Sequence, residues 1–455
     1  MTRKPPQLSE GVRERLFSRV EALRKAERPS ISERQTTQSP SSKYTDFNSL
    51  PGYNELRIQR SVADTLSIQS PFFRVHDGRA GARTEIKGVS CINWSSYDYL
   101  GLNGHPEVAA AAKAAIDRYG VSSSASRLVA GERPVHLALE RAIAGHYQVE
   151  DCAVFVSGYA TNVGVIGHLM GPKDLIVCDA AMHNSVMVGG VLSGATRRSF
   201  QHNDLDNLEE VLKSSRAGVE RVLIVVEGLY SMDGDFPDLP RLIAIKNKYD
   251  AWLMVDEAHA LGVLGPKGDG LAEHFGVHPA EVDIWMGTLS KTLAGCGGYI
   301  AGSTALIEYL KCTSGIFIYS VGMPPAIAAS THKALEIMHR EPERVATLQR
   351  NSVRFRDLAL EQRLDVGAGA GSAVCPVMVA DSLPAVVLSQ RLLEKGINVL
   401  PIIYPAVPAK ASRLRFFITA THTEDDIVST IKAVSEEVKK ISTEQLMPKF
   451  AKPQQ

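Results

Sequence analysis

The chain has 455 residues and no net formal charge at pH 7, with 22% of its residues charged. This balance predicts no overall attraction to nucleic acid or to an anionic membrane surface. No apolar run approaches the roughly 18 residues that a membrane-spanning helix needs, and the N-terminus has no apolar signal core. The six cysteines are scattered without CxxC spacing, which is not typical of a disulfide framework or a zinc site. We therefore expect a soluble cytoplasmic protein of about two or three structural units without a metal site.

The first 45 residues differ in composition from the rest of the chain. Apolar residues recur at helical spacing over residues 8–23, and Ser, Thr, Gln and Pro are abundant over residues 29–42. Residues 1–34 carry nine Lys or Arg against five Glu. This pattern predicts an amphipathic helix followed by a linker. The helix either packs on the main body, stays mobile or docks a partner, for example an acidic carrier protein.

The next segment predicts a β-hairpin and two helices. Residues 71–102 contain two apolar stretches around a glycine-rich turn and then an irregular segment. Residues 106–119 are rich in alanine, and residues 136–147 have apolar side chains at helical spacing.

Strands and helices alternate from about residue 150 to residue 300, which predicts a mostly parallel sheet covered by helices. Polar residues closely follow each of five apolar segments. These are residues 152–156, 175–178, 221–226, 251–255 and 282–286. Ligands of open α/β sheets bind beyond the carboxyl ends of the strands, so we expect the polar residues to converge on one crevice.

A long helical stretch to about residue 360 and a smaller lobe of strands and helices complete the predicted fold. We divide the chain into an N-terminal extension (1–45), an N-terminal segment (46–100), a large domain (101–345), a small C-terminal domain (346–440) and a tail (441–455).

Lys291 follows an apolar strand and precedes a glycine-rich stretch. Partial desolvation there lowers the pKa of its amine and favours the neutral form. A neutral lysine can form a Schiff base, and this is how lysine anchors pyridoxal phosphate (PLP). A lone Ser-Lys beside glycines is more often an ordinary turn after a strand, so the interpretation depends on its neighbours.

Asp256 favours a functional interpretation of Lys291. It follows an apolar strand, where an unpaired carboxylate is costly to bury, although a helix N-cap would also explain an aspartate there. An aspartate beside a pyridine nitrogen keeps that nitrogen protonated, and the ring then withdraws electrons from a carbanion. Lys291 lies 35 residues further on, about one βαβ unit, so the two can sit at nearby strand ends.

Four more residues form a candidate phosphate site. A helix start at Gly158 and Tyr159 offers free backbone amides and the positive end of the helix dipole to an anion. Thr288 and Ser290 could add hydroxyl groups. Such turns are common, so this signal is weak by itself.

Other polar residues after strands are candidates for contacts with a cofactor or substrate. His183 could stack on a pyridine ring, although a lone histidine is more often a satisfied polar residue. His259 could hydrogen-bond a phenol oxygen or a carbonyl, and Ser231 offers another hydroxyl. Arg413 and Arg415 share one face of a predicted strand, where an arginine could hold a carboxylate through two hydrogen bonds or simply form a surface ion pair.

Six motifs occur in an order that resembles the α-oxoamine synthases, a branch of the fold-type-I PLP enzymes that includes 8-amino-7-oxononanoate synthase and serine palmitoyltransferase. They are Ser95-Ser-Tyr-Asp-Tyr-Leu-Gly-Leu102, Ser157-Gly-Tyr-Ala-Thr-Asn162, Glu227-Gly-Leu-Tyr-Ser-Met-Asp-Gly-Asp235, Asp256-Glu-Ala-His259, Thr288-Leu-Ser-Lys291 and Tyr319-Ser-Val-Gly-Met-Pro-Pro325. The resemblance covers residues 50–440. It implies an α/β fold in which a large domain with a mostly parallel sheet precedes a smaller α+β domain. It also implies the decarboxylative condensation of a small amino acid (Ala, Ser or Gly) with an acyl thioester of coenzyme A or of an acyl carrier protein.

The resemblance also implies roles for individual residues. Lys291 would hold the cofactor and move the α-proton, Asp256 would pair with the pyridinium, and His183 would stack on the ring. Ser231 and His259 would contact the phenolic oxygen, and His259 would help to activate the thioester carbonyl.

Further implied roles concern the phosphate, the substrate and a partner subunit. Gly158, Tyr159, Thr288 and Ser290 would surround the phosphate, and Arg415 would bind the carboxylate of the amino acid. The family is homodimeric with sites at the interface, where Ser320 would reach the partner's phosphate.

Two positions depart from the family pattern. Tyr97 stands where an Asn often helps to hold the substrate carboxylate, and a Tyr there is similar to serine palmitoyltransferases, which hints at a long or unusual acyl chain. Val321 and Gly322 replace the usual Thr-Ser, which removes hydroxyls from the phosphate contact across the dimer.

Two alternatives remain open. Another fold-type-I enzyme, such as an aminotransferase or a decarboxylase, would share Asp256 and Lys291 but not obviously the Asp-Gly-Asp and Met-Pro-Pro motifs. A catalytically silent subunit of a heterodimer would not need the intact Lys291, Asp256 and His183.

Overall fold

The computed structural model of the protein describes residues 44–65 and 68–443. The amphipathic helix and linker predicted within residues 1–42, and the tail beyond residue 443, lie outside these ranges. The chain separates into one unit that ends at Arg74 and a second that begins at Val75. None of the helices within the described ranges is both long and apolar enough to cross a membrane.

The described part of the first unit contains a short 3-10 turn, Phe47–Ser49, and helix α1, Pro51–Thr65. The carboxylate of Asp46 caps the turn by accepting a hydrogen bond of 3.0 Å from the backbone amide of Asn48. Most side chains of α1 are exposed.

The second unit alternates strands and helices along the chain. Its strands are β1 (Arg83–Ile86), β2 (Val89–Asn93), β3 (Asp151–Phe155), β4 (Leu175–Asp179), β5 (Thr196–Phe200), β6 (Val222–Glu227), β7 (Trp252–Asp256), β8 (Ile284–Thr288), β9 (Gly298–Gly302), β10 (Val374–Ala380), β11 (Ile397–Asn398), β12 (Leu400–Ile402) and β13 (Ser412–Phe417). Its helices are α2 (Pro106–Tyr119), α3 (Pro134–His146), α4 (Gly158–Leu169), α5 (Asn184–Ser193), α6 (Leu205–Ser215), α7 (Leu239–Lys248), α8 (Leu271–Phe275), α9 (Thr304–Thr313), α10 (Gly315–Ile318), α11 (Pro325–Arg340), α12 (Glu343–Glu361), α13 (Ser382–Glu394) and α14 (Glu424–Thr443).

The largest sheet in the described residues has seven strands in the order β3-β9-β8-β7-β6-β4-β5. Strand β9 is antiparallel to both of its neighbours, and the other pairings are parallel. Alternate residues of β6 enter two hydrophobic cores, with Ile224 and Val226 in one and Leu223 and Val225 in the other. A parallel sheet buried on both faces requires such continuous apolar strands. The predicted mostly parallel sheet is thus confirmed.

Two strands of this sheet were not among the five predicted ones. The sequence of β5 is Thr-Arg-Arg-Ser-Phe, and four of its five residues are exposed. Strand β9 begins and ends with glycine. The sequence of β5 is mostly polar, and the glycines that bound β9 weaken its short Tyr-Ile-Ala strand signal, so pairing with neighbours in the sheet decides their conformation.

The C-terminal part contains a second sheet with the order β10-β13-β12, and helices α12, α13 and α14 follow or flank its strands. A third sheet pairs the hairpin β1-β2 with β11. A hairpin was predicted in this region, but its first strand is Arg83–Ile86, after the glycine-rich turn, and not the apolar stretch at residues 72–75, which is no strand in the structure. The predicted long helical stretch consists of two helices, α11 and α12, with Pro342 between them. A proline disfavours helical conformation in the residue before it, here Glu341, which explains the break. The domain boundaries given above remain predictions, and α14 continues to Thr443.

A buried ion network joins several elements of the second unit. Arg127, in a π-helical turn, donates to both carboxylate oxygens of Glu140 on α3, at 2.5 and 3.0 Å. The same carboxylate accepts bonds of 2.9 Å from the amide of Val154 and from Lys311 on α9. Glu132 accepts two further bonds from Arg127. The side chains of Arg127 and Glu140 are 4% and 2% exposed, and these contacts provide partners for both charges.

Candidate active site

The carboxyl ends of five strands surround one cavity of about 280 Å³. Residues that follow β3, β4, β6, β7 and β8 line it, as the positions of the polar residues predict. The lining residues are Ser157, Gly158, Tyr159, Asn162, His183, Ser185, Glu227, Ser231, Asp256, Ala258, His259, Met286, Thr288, Ser290, Lys291, Cys296 and Gly297. All of the predicted site residues are among them except Tyr97, Ser320 and the two candidate arginines, Arg413 and Arg415.

Lys291 and Asp256 lie at the ends of neighbouring parallel strands. In the register of β7 and β8, Asp256 pairs with Met286, five residues before Lys291. Burial of the Lys291 amine lowers its pKa to about 8, while the negative charges of Asp256 and Glu227 act in the opposite direction. At neutral to mildly alkaline pH an appreciable fraction of this lysine is therefore the neutral amine that nucleophilic chemistry needs.

Asp256 is buried and held from two sides. Its Oδ2 accepts a hydrogen bond of 2.9 Å from the side-chain amide of Asn162, and its Oδ1 accepts one of 3.0 Å from the backbone amide of Ala258. The side-chain Oδ1 of Asn162 is buried and accepts no hydrogen bond within the described part of the chain. Asn162 therefore orients the carboxylate and still has a free acceptor beside it.

Glu227 lies beside Asp256 in the sheet, because the two residues pair in the register of β6 and β7. Burial and the neighbouring Asp256 charge raise the pKa of Glu227 to about 8. Its Oε2 accepts a hydrogen bond of 2.9 Å from the amide of Ser231, whereas its buried Oε1 has no partner among the described residues. Near pH 7 the carboxyl of Glu227 is therefore mostly protonated.

His259 is buried and its ring contacts Tyr99. The Nδ1 atom lies 2.7 Å from the phenol oxygen. Burial lowers the pKa of His259 and raises that of Tyr99, so both are neutral near pH 7. If Tyr99 donates to Nδ1, its buried hydroxyl proton has a partner. If Nδ1 donated to the phenol oxygen instead, that hydroxyl proton would have none. The favoured tautomer of His259 consequently carries its proton on Nε2 and can donate it.

His183 is the N-cap residue of helix α5. Its Nδ1 lies 2.7 Å from the hydroxyl of Ser185, and the ring of Tyr159 approaches edge-on with centroids 6.3 Å apart. These contacts fix the imidazole at the cavity wall.

The other end of the cavity is lined by hydroxyl groups and a helix start. Ser157 caps α4 by accepting a hydrogen bond from the amide of Ala160. Thr288 donates to the carbonyl of Gly297 at 2.9 Å and lies 3.2 Å from the hydroxyl of Ser290. A Cβ atom on Gly158 would approach the Thr288 hydroxyl oxygen to 2.8 Å, so glycine is required for this close packing. Hydroxyls and a helix N-terminus together suit a phosphate group.

The structure distinguishes the two candidate arginines on β13. Arg413 is buried in an ion pair with Asp233, at 2.5 Å, and donates to the carbonyl of Met232. Arg415 donates through Nη1 to the carbonyl of Ser231 at 2.9 Å, and its buried Nε has no partner within the described ranges. Arg413 is thus already paired with a carboxylate, whereas Arg415 keeps a buried donor without a partner in the described residues.

Tyr97 and Ser320 lie outside the cavity lining. The ring of Tyr97 packs edge-on against Phe417, and the Lys291 amine lies 5.7 Å from the centre of the Tyr97 ring. Tyr97 is therefore beside the lysine, and its side chain is partly exposed to solvent. The Ser320 hydroxyl donates to the carbonyl of Val321 in the same segment.

Three residues were missed as site residues, although each lies within a quoted motif. Asn162 is four residues after the helix start at Gly158 and so faces the same side of α4. Glu227 ends an apolar strand in the same way as Asp256, which is a signal that could have identified it. No sequence pattern indicates the contact of Tyr99 with His259, because 160 residues separate them.

Comparisons with known proteins agree with this geometry. A model of the family "Aminotransferase class I and II" matches residues 89–434. The chain is similar to the 8-amino-7-oxononanoate synthase of Geobacter sulfurreducens, with 41% identity over 361 residues, 79% of this chain and 91% of that protein.

Solved structures of serine palmitoyltransferases are similar as well. That of Sphingomonas wittichii has a TM-score of 0.82 and 30% identity, over 87% of this chain and 99% of that one. That of S. paucimobilis, which contains a bound PLP–myriocin aldimine, has a TM-score of 0.83 and 27% identity, over 87% of this chain and 99% of that one.

Proposed function

The chain belongs to the α-oxoamine synthases within the class I and II aminotransferase family, and from this premise we propose that it condenses an amino acid with an acyl thioester. The amino acid is small (Ala, Ser or Gly), the acyl carrier is coenzyme A or an acyl carrier protein, and the products are an α-amino ketone, CO2 and a free thiol. The observation that carries this proposal is the pair of Lys291 and Asp256 at neighbouring strand ends in one cavity.

The residues of this cavity fit PLP. Lys291 supplies an amine of lowered pKa for a Schiff base, and Asp256 supplies a buried carboxylate for the pyridine nitrogen. Unpartnered buried acceptors, Asn162 Oδ1 and Glu227 Oε1, lie in the same wall. The start of α4 with the hydroxyls of Thr288 and Ser290 suits the phosphate, to which we also assign Gly158 and Tyr159.

PLP, when bound, supplies an electron sink for the carbanion that forms at the α-carbon of the amino acid. The protein supplies the rest. Lys291 Nζ takes a proton from the α-carbon and later returns one, which its pKa of about 8 allows near neutral pH. Asp256 would hold the ring nitrogen through its carboxylate, and His183 would contact the ring.

The substrate contacts follow from the free donors. Arg415 Nε, which lacks a partner among the described residues, donates to the carboxylate of the amino acid. His259 would donate from Nε2 to the phenolic oxygen of the cofactor and to the thioester carbonyl, where it would stabilise developing negative charge. Ser231 would be a second contact of the phenolic oxygen. Tyr97, 40% exposed, covers the entrance and contacts the incoming acyl chain.

We also assign the chain to a homodimer with active sites at the interface, as in its family. The exposed apolar residues Met187, Val191 and Leu192 on α5, the helix that begins next to His183, support such an interface. Ser320 would then reach the phosphate of the partner subunit. A cytoplasmic location remains a prediction.

The alternatives explain less of the geometry. A silent subunit has no use for a lysine of lowered pKa beside a buried aspartate. An aminotransferase or a simple decarboxylase would share that pair but would not need a thioester.

A spectroscopic titration tests the proposal. The PLP-loaded protein is titrated separately with glycine, alanine and serine, and the visible absorption band of the bound cofactor is followed. A saturable change with one of them names the amino acid. Acyl-CoA or acyl carrier protein thioesters are then added, and CO2 and free thiol should appear only when both substrates are present. CO2 without a thioester would favour a decarboxylase, and failure to hold PLP would favour the silent subunit.

A further inference from the structure

Three side chains far apart in sequence meet at one point outside the active-site cavity. His146 is the last residue of α3, His339 is next to last in α11, and Asp269 lies just before α8. His146 Nδ1 lies 2.9 Å from His339 Nε2. Asp269 Oδ1 lies 3.6 Å from the first nitrogen and 3.8 Å from the second. One oxygen and two imidazole nitrogens thus form a compact triangle.

The size of this triangle matches a metal coordination sphere. A single point about 2.0 Å from all three atoms exists for these separations, and Zn–N and Zn–O bonds are about 2.0–2.2 Å long. Neutral imidazole and carboxylate are among the ligands that zinc prefers.

The triangle also leaves a polar atom unsatisfied. Asp269 Oδ1 is buried and accepts no hydrogen bond within the described ranges, although a buried carboxylate oxygen normally has a partner. A hydrogen bond between the two imidazoles would explain their own contact but would leave this oxygen alone. A cation at the common point would provide a partner for all three atoms.

The surroundings favour a cation. The ends of α3 and α11 direct the negative ends of two helix dipoles to this place. The side chain of His146 is 2% exposed, so its ring is held in place by the surrounding side chains. The side chains of His339 and Asp269 are 43% and 33% exposed, which gives an ion a route in and room for a water ligand.

A neighbouring cluster of possible metal ligands differs from this one, because its carboxylates already have a partner. His105, Glu107 and Glu341 also come close together. Arg340 pairs with both carboxylates, at 2.6 and 2.7 Å, so their charges already have a partner.

We propose that His146, Asp269 and His339 form a binding site for a divalent borderline metal ion, Zn²⁺ in the first instance, with water as a further ligand. The ion links the ends of α3 and α11 to the loop before α8. This loop continues to Leu271, whose amide donates to Glu257, the residue after Asp256. The site is independent of the proposed condensation, since none of its ligands lines the active-site cavity. The ligands come from three separate segments of the chain, so no local spacing of the CxxC kind could indicate this site in the sequence.

Metal binding to the full-length, untagged, PLP-loaded chain tests this proposal. The protein is treated with EDTA, desalted and titrated with Zn²⁺, and the metal content and thermal unfolding are measured. His339→Gln and Asp269→Asn each remove one ligand at a partly exposed position that should tolerate the change. The matched control is His332→Gln, which removes another partly exposed imidazole from α11.

The wild type and His332→Gln should each hold one Zn²⁺ per chain and unfold at a higher temperature with the ion. Either ligand variant should bind more than about 100-fold more weakly, since loss of a supporting contact alone costs up to about that much. Co²⁺ should give a spectrum without an intense thiolate band. No retained zinc in the wild type, equal binding by His339→Gln, or a thiolate band from the cysteines would each overturn the proposal.

Discussion

Two of the places where the protein buries ionisable groups differ in how those groups are paired. In the network of Arg127, Glu140 and Lys311, Glu140 accepts hydrogen bonds on both carboxylate oxygens, and both cations have anionic partners. In the candidate active site, Glu227 Oε1 and Arg415 Nε are equally buried and have no partner among the described residues. The first arrangement is complete within the chain, and the second is complete only with ligands.

The difference has a physical consequence for each place. Buried charges that are fully paired contribute to the fold, and removal of one partner leaves the other uncompensated. Buried groups that lack partners have shifted pKa values and free hydrogen-bonding capacity, which are the properties that binding and catalysis use. Substitutions in the network should therefore change stability, and substitutions in the site should change activity.

The largest expected effect is a difference in condensation rate between variants of two lysines, Lys291 and Lys311. Lys291→Ala should lower the condensation rate by at least about 10³-fold, because it removes both the Schiff-base amine and the proton carrier. Lys311→Ala should leave the rate unchanged and reduce the free energy of unfolding by about 1 kcal/mol, since one partner of Glu140 is lost. Steady-state kinetics and thermal unfolding of both variants test this. Equal activity of the two would contradict the assignment of Lys291.

The next largest effect is on the free energy of unfolding and concerns the two glutamates that pair with Arg127. Glu140→Gln should reduce the free energy of unfolding by about 3 kcal/mol, because the buried Arg127 loses the charge that faces it. Glu132→Gln is the matched control. The Glu132 side chain is 41% exposed, so its loss should cost less than about 1 kcal/mol. Chemical denaturation measures both, and equal losses would mean that burial does not govern this network.

The two arginines of β13 should differ in a smaller way. Arg415→Lys should raise KM for the amino acid by about 10- to 100-fold, because an ammonium cannot reproduce the guanidinium contacts to a carboxylate. Arg413→Lys should leave KM nearly unchanged and reduce stability, because Arg413 is already paired with Asp233. A KM effect in Arg413→Lys that exceeds the effect in Arg415→Lys would reverse the assignment.

The smallest effect should come from Glu227 at acidic pH. Below pH 4.5 its carboxyl is mostly protonated in both the folded and the unfolded state, so Glu227→Gln should change the free energy of unfolding by less than about 1 kcal/mol there. The pKa of Glu227 is raised from 4.5 to about 8 in the folded state, so its stabilising contribution is greatest below pH 4.5 and is lost as the pH rises through 8. Wild type should therefore lose stability relative to Glu227→Gln between pH 5 and pH 8. If the free energies of unfolding of the wild type and of Glu227→Gln change with pH in the same way over this range, Glu227 is ionised in the folded state.

Much of the fold and of the site could be predicted from the sequence, because both depend on local patterns. Apolar strands followed by polar residues predicted the sheet, the crevice and the place of Lys291 and Asp256 in it. Strands β5 and β9 could not be predicted, since their conformation depends on pairing with neighbours rather than on their own residues. The choice between Arg413 and Arg415 required the position of Asp233, which lies 180 residues away in sequence.

The antiparallel strand β9 has a consequence for the order in which the protein folds. Residues 289–297, which include Lys291, connect β8 to β9, and Thr288 pairs with Gly298 across that short loop. The parallel pairings of the sheet need longer crossovers, such as the one from Asp179 to Thr196 between β4 and β5. Loop closure costs more entropy as the loop lengthens, so the β8-β9 hairpin can form before those pairings. Residues 289–297, with Lys291, then adopt their conformation early in folding. Asp256 comes beside them only when β7 joins the growing sheet.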